Sequence, residues 1–259
     1  MRILLALLAP ALLVAACTSE DSLTSAAIVG EIPWTGPETA EYRVLDSDDD
    51  PVGTLELSIE EEPAGAWRFS QSFDFPGRGF MNEAEVVVDG STLQPESSSF
   101  EIVGPDGNFD CTAEYTTGRV NMHRIGEDGE RDDTLTIPNI AYDSWGDLFV
   151  WRTIEFADGY EKEYTDVLAC TLSRPDKIGV SLKIEGREEI TVPAGIFEAW
   201  HLEIDSGGET QHAWYATDDA HTLVKYDNGE STFELTGDVT ACGGGACCAP
   251  QGIICSPNP

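Results

Sequence analysis

Apolar and polar residues alternate along most of this chain. Leu55, Leu57 and Ile59 are interleaved with Thr54, Glu56, Ser58 and Glu60, and Val180, Leu182 and Ile184 with Ser181, Lys183 and Glu185. Trp67, Phe69, Phe73 and Phe75 alternate in the same way with Arg68, Ser70, Ser72 and Asp74. A period of two places one face of each segment on a core and the other in water, which is the signature of antiparallel strands. Turn dipeptides such as Asp89-Gly90, Asp128-Gly129, Asp158-Gly159 and Asn228-Gly229 punctuate the runs. The spacing predicts roughly eleven to thirteen short strands. The expected fold is all-β: a single curled antiparallel sheet, a spiral β-roll or half-barrel.

The clearest hairpins lie between Val192 and Tyr226. Val192-Pro193-Ala194-Gly195 has the chemistry of a type I turn, and Gly207-Gly208 reads as a two-residue loop between strands Ile196–Asp205 and Glu209–Ala216. Such a loop sets Ser206 opposite Glu209, hence Glu203 opposite His212 and His201 opposite Trp214. One segment departs from the alternation. Ser144-Trp145-Gly146-Asp147 has a capping-box arrangement, and Trp145, Leu148, Phe149 and Arg152 recur at helical spacing. A short helix over 144–152 is expected, its aromatic face plugging the concave side or one end of the sheet.

Residues 1–16 read as a signal peptide: Arg2 precedes an apolar run too short to cross a bilayer, which ends in small residues. The ending Leu13-Val14-Ala15-Ala16-Cys17 resembles the bacterial lipobox, in which Cys17 is lipidated and becomes the first residue of the mature protein. Residues 17–40 read as a flexible acidic, Ser- and Thr-containing tether, 41–238 as the β domain, and 239–259 as a Cys-rich Gly/Pro tail. The expected location is extracytoplasmic, on the cell membrane or outer membrane of a bacterium, with the membrane as partner through the lipid.

Charge narrows the partners. Asp and Glu number 48 against 14 Lys and Arg, a net charge of −34. Such a surface repels nucleic acid and favours solubility, cations and basic partners. Of the seven cysteines, six remain once Cys17 carries lipid. Cys111 and Cys170 sit in the body of the domain and are candidates for one disulfide. Cys242, Cys247, Cys248 and Cys255 crowd the tail. Adjacent cysteines pair badly with each other, so Cys242 and Cys255 would each take one of the central two; a thiolate metal site is the alternative.

The run Val192-Pro193-Ala194-Gly195-Ile196-Phe197-Glu198-Ala199, with Trp214-Tyr215 and the following His221-Thr222-Leu223-Val224, resembles the exported domain-of-unknown-function 3108 family. Asp143-Ser144 and Arg152 resemble that family's middle motif, and the likeness extends over roughly Glu41 to Leu235. It implies a spiral β-roll similar to lipoprotein-type lipid binders and brings no activity with it. The family's proline in the penultimate strand is Leu223 here, and the Cys-rich tail lies outside its pattern.

Candidate chemistry is sparse. Asp46-Ser47-Asp48-Asp49-Asp50 begins like a calcium loop, but Pro51 and Leu57 stand where a glycine and a bidentate glutamate belong. It reads as a solvated hairpin tip, as does the acidic stretch 126–133. His201, Glu203 and His212 share one face and are the candidate metal ligands, against an ordinary cross-strand pair. No nucleophile elbow, zinc-protease motif, phosphate loop or CxxC pair occurs, so no catalytic residue or cofactor is expected. The expected function is binding of an apolar or amphipathic ligand, a lipid or glycolipid, by the curled sheet. The alternative is a non-enzymatic interaction module presenting an acidic face.

Overall fold

The computed structural model describes residues 23, 26–105, 107–243 and 246–247. Fifteen strands form one sheet that grows outward in both directions from a central strand, β1 (Glu38–Asp46). On one side the chain meanders through β2 (Pro51–Glu61), β3 (Trp67–Phe75), β4 (Phe80–Val88), β5 (Pro95–Gly104), β6 (Gly107–Thr116), β7 (Arg119–Gly126) and β8 (Gly129–Thr136). It then crosses to the far edge, where β9 (Tyr142–Asp143) pairs in parallel with β10 (Glu161–Leu168). From there β11 (Asp176–Val192), β12 (Gly195–Ser206), β13 (Glu209–Ala216), β14 (Leu223–Asp227) and β15 (Ser231–Leu235) lead back inward, and β15 lies against β1. Every ladder except β9–β10 is antiparallel, as the alternation requires. The sheet stays open, neither sealed as a barrel nor wound as a tight spiral.

The predicted register of the Gly207-Gly208 hairpin is observed: Ser206 faces Glu209, Glu203 faces His212 and His201 faces Trp214. Both glycines have positive φ, 63° and 91°, the conformation that a two-residue hairpin asks for. Leu55, Leu57, Ile59, Phe69, Phe73, Val180, Leu182 and Ile184 are all buried, so the two-residue period points inward where it was expected to.

The crossing segment carries the helical element. It is a single turn, α1 (Asp147–Val150), flanked by 3₁₀ turns Ser144–Gly146 and Trp151–Thr153. The cap is Asp143, whose carboxylate accepts the Trp145 N–H at 3.0 Å; Ser144 already belongs to the turn. Its aromatic residues pack on the β2–β8 arm of the sheet, Phe149 stacking on Phe69 of β3 at 4.6 Å and Trp145 on Phe100 of β5 at 4.5 Å, while β13 reaches it from the other arm. The Tyr215 hydroxyl donates to Leu148 O at 3.0 Å.

Part of the stretch read as a tether is packed on this core. Trp34 is 3 % exposed and meets Trp67 and Phe69 edge-on, at 6.2 and 5.6 Å. Ile28 is buried as well, and Gly30 N–H donates to Thr153 O at 2.8 Å. A Cβ on Gly30 would stand 2.6 Å from that oxygen, so the close approach needs glycine. At the other end, β16 (Thr240–Gly243) lies beside the start of β1 and pairs antiparallel with β17 (Ala246–Cys247), with Cys242 opposite Cys247. Cys17, Cys248 and Cys255 lie outside the described residues.

Candidate functional site

The aromatic residues on the concave side fill most of it. Trp34, Phe69, Phe73, Phe149 and Trp151 are buried, and Trp67, Phe75, Trp145 and Trp200 pack against them. A void lined by Tyr42, Leu57, Ile59, Phe149 and Arg152 measures about 20 Å³, room for one water. A second cavity among the same residues, about 240 Å³ and lined by Phe73, Trp145, Leu148, Trp151, Tyr226 and Phe233 together with Asp147 and Asp166, is smaller than the apolar space at the rim.

At the tips of β4 to β7 a groove of about 470 Å³ is lined by Arg78, Phe80, Ile102, Pro105, Phe109 and Leu172. Leu172 is 68 % exposed, the most exposed large apolar side chain among the described residues. It sits on the loop between β10 and β11, which is tied down at two points. Cys170, at the root of the loop, forms the expected disulfide with Cys111 on β6. Arg124 on β7 donates through Nη2 to three successive carbonyls of the loop, Thr171 at 2.6 Å, Leu172 at 3.3 Å and Ser173 at 2.8 Å. Its guanidinium lies 5.3 Å above the Phe109 ring. Arg124 is itself 7 % exposed, so these bonds are little weakened by water.

Exposing a leucine on a loop held this firmly gains the isolated protein nothing, since burial of that side chain is worth about 1.5–3 kcal/mol. The apolar trough continues into a wider, charged cleft of about 800 Å³ that shares Phe109, Glu127 and Leu172 and adds Arg131, Arg174 and Asp128. Apolar and charged surfaces meet at one loop, the arrangement that suits a molecule with a hydrocarbon part and a polar head.

A second group of residues gave no sign in the sequence that they would be buried together. Asp143, Asp147 and Asp166 are all buried, at 2 %, 7 % and 2 % exposure. Tyr115 donates to Asp143 Oδ2 at 2.5 Å, Tyr164 donates to Asp147 Oδ1 at 2.8 Å, and Val167 N–H donates to Asp166 Oδ1 at 2.8 Å. Loss of hydration pushes all three carboxyl pKa values up, Asp147 and Asp166 well above the usual range, and the charges of Asp147 and Asp143 push Asp166 further. The folded protein thus holds protons that the unfolded chain releases above about pH 4. The stability these carboxyls contribute is fully present below that pH and is lost as pH rises through their folded pKa values. Urea midpoints are expected to fall from mildly acidic to alkaline buffer, and Asp166→Asn to flatten that decline. An equal slope in the variant would remove Asp166 from the account.

The remaining sequence candidates are placed as follows. The Asp46 carboxylate accepts the N–H groups of Asp48 and Asp50, both at 3.0 Å, and closes a solvated turn. The 126–133 stretch is the β7–β8 hairpin, with Gly126 opposite Gly129. His201 Nε2 and His212 Nδ1 are 3.0 Å apart, while Glu203 faces His212 across the ladder. Among the described residues no three His, Cys, Asp or Glu side chains converge in a geometry that would hold a metal ion, and no helix is long and apolar enough to cross a membrane.

A family model described as protein of unknown function (DUF3108) matches residues 47–236. No curated protein matches the chain. Among solved structures it is similar to a β-barrel-like protein of domain of unknown function DUF1849 from Brucella abortus, at 9 % identity over 83 % of this chain and 100 % of that one, with a TM-score of 0.55. A protein named as exported, with a YmcC-like fold, from Bacteroides fragilis matches at 9 % identity over 82 % of this chain and 99 % of that one, TM-score 0.26. One named as a lipoprotein from Parabacteroides distasonis matches at 12 % identity over 81 % and 98 %, TM-score 0.31. The Brucella likeness is one of fold alone.

Proposed function

This chain belongs to the DUF3108 family of proteins of unknown function, and we propose that it is a non-catalytic lipoprotein outside the cytoplasm that binds an amphipathic ligand in its rim groove. The observation that carries this reading is Leu172, held out beside Phe80 and Phe109 on a loop fixed by a disulfide and by Arg124. A preorganised apolar contact loses little entropy when a ligand arrives. The Cys111–Cys170 bridge supports an oxidising compartment. The lipobox at Cys17 supports a lipid anchor, which would hold the domain near the membrane from which a lipid or glycolipid ligand would come. The net charge of −34 disfavours nucleic acid as partner.

Organic extraction of the purified protein followed by mass spectrometry is expected to recover an amphiphile. Leu172→Asp is expected to weaken binding of a dansyl-labelled fatty acid about tenfold or more, the loss of one buried leucine contact. Its thermal midpoint should stay near wild type, because Leu172 supports little of the fold. No amphiphile from the wild type, together with equal probe binding by both proteins, would leave the acidic face as an interaction surface in its place. The anchor is checked separately: the mature protein in the membrane fraction should begin at a lipid-modified Cys17.

A further inference from the structure

On the outer face of β11, β12 and β13, outside the rim groove, two imidazoles meet. His201 Nε2 stands 3.0 Å from His212 Nδ1, the rings coming from adjacent antiparallel strands. Each is fixed by its surroundings. The His201 ring stacks on Trp214 at 4.8 Å between centroids and 13° between planes, and its Nδ1 lies 3.4 Å from Glu188 Oε1. That same carboxylate oxygen accepts the Trp214 indole N–H at 2.7 Å.

The strand across from His201 is altered in a way that leaves room. The β11–β12 register slips between Ile184 and Gly186, so Glu185 is the extra residue of a bulge and Gly186 faces His201. Gly186 has φ of 136°, and a Cβ built there would meet nothing within 4 Å. Bulges redirect side chains, and this one turns Glu185 to the outer face, where it pairs with Lys183. Glu203 faces Lys183 on one side and His212 on the other. Glu185, Glu188 and Glu203 therefore stand around two imidazoles, and the residue directly opposite His201 is a glycine.

We propose that His201 and His212 together chelate one divalent transition-metal ion, copper(II) or zinc, with carboxylate oxygen supplied by the surrounding glutamates. Nitrogen ligands lie about 2.0–2.1 Å from such an ion, which sets two of them on one metal about 3 Å apart. The histidines already have that separation. Binding replaces their mutual hydrogen bond, and since among the described residues no third ligand converges there already, a glutamate must turn in, Glu203 from beside His212 or Glu188 by releasing the Trp214 N–H. A mixed imidazole and carboxylate set suits zinc and copper, with copper(II) held more tightly. The strongly acidic surface raises the local concentration of any cation.

The test titrates the full mature protein, its cysteines oxidised, with CuCl₂ and with ZnCl₂ in a non-coordinating buffer. Copper(II) bound here lies against Trp214, so tryptophan fluorescence should be quenched saturably at one equivalent. His201→Ala and His212→Gln should each weaken binding roughly tenfold or more. Trp214→Phe should remove the quenching while calorimetry still counts the ion. Both histidines are partly exposed, so the variants will fold, and far-ultraviolet circular dichroism verifies it. Unchanged affinity in either single-histidine variant, or binding abolished when Cys242, Cys247, Cys248 and Cys255 are replaced by serine, would overturn the proposal.

Discussion

Replacing Arg152 by alanine is expected to lower the stability of the fold by about 3–5 kcal/mol, the cost of breaking a buried ion pair by removing one partner. For a domain of this size that corresponds to a fall of roughly 6–20 °C in the thermal midpoint. The Arg152 side chain is 9 % exposed and donates through Nη2 to Glu38 Oε2 at 3.0 Å and to Ala220 O at 2.8 Å, with its guanidinium 5.4 Å over the Trp34 ring. One cation thus joins the crossing segment, the start of the central strand, the loop before β14 and the packed N-terminal stretch. Alanine would strand Glu38, whose side chain is 15 % exposed, and a carbonyl beside it. Lysine keeps the charge but not the planar fork, so Arg152→Lys should recover only part of the loss. Removing the charge on both sides, Arg152→Met with Glu38→Gln, should recover more, because no unpaired ion stays buried. If the alanine variant unfolds within about 1 kcal/mol of wild type, the pair has no such role.

What could be read from the sequence divides along a physical line. Strand existence and the Gly207-Gly208 register were legible because a two-residue period, a two-glycine loop and burial all act within a few positions. Residues that depend on distant partners were not. Trp34 and Ile28 sit in an irregular stretch, where a lone apolar residue has no period to announce that the core will cover it. Asp147 read as the acid of a capping box and Asp166 carried no pattern at all, and only the fold sets Tyr164 and the Asp143 carboxyl beside them. The helix was found from its spacing, but Asp143 and not Ser144 caps it, since both residues can fill that place and the backbone decides. The aromatic cluster carried a real signal with two meanings, filled interior or open cradle, and the structure is mostly the first, with a cavity of about 240 Å³ left beside Phe73 and Trp151. Leu172 gave no signal at all. Its exposure is informative only beside the disulfide and the arginine that fix it.

Those fastenings lead to the other large effect. Cys111→Ser with Cys170→Ser is expected to cost about 4 kcal/mol, from the loop entropy released to the unfolded chain by opening a cross-link between residues 59 apart. The bond joins β6 to the end of β10, two strands that lie on opposite arms of the sheet and share no ladder. Away from the central strand β1, which joins the arms by its ladders to β2 and β15, these far ends are then tied by side chains such as Arg124 on the loop carbonyls, Tyr115 on Asp143, and the Lys177 ammonium, which donates to Thr136 O at 2.7 Å. The rim loop then keeps its three bonds to Arg124 but loses its root, so Leu172 samples more positions and the groove must be ordered by its ligand. The serine variant should therefore lose both stability and affinity for the dansyl-labelled fatty acid, whereas Leu172→Asp loses affinity alone. Denaturation of the wild type with and without reductant should reproduce the stability difference without any mutation. If reduction moves neither the urea midpoint nor probe binding, the bridge holds together nothing that Arg124 does not hold already, and the loop owes its position to the arginine.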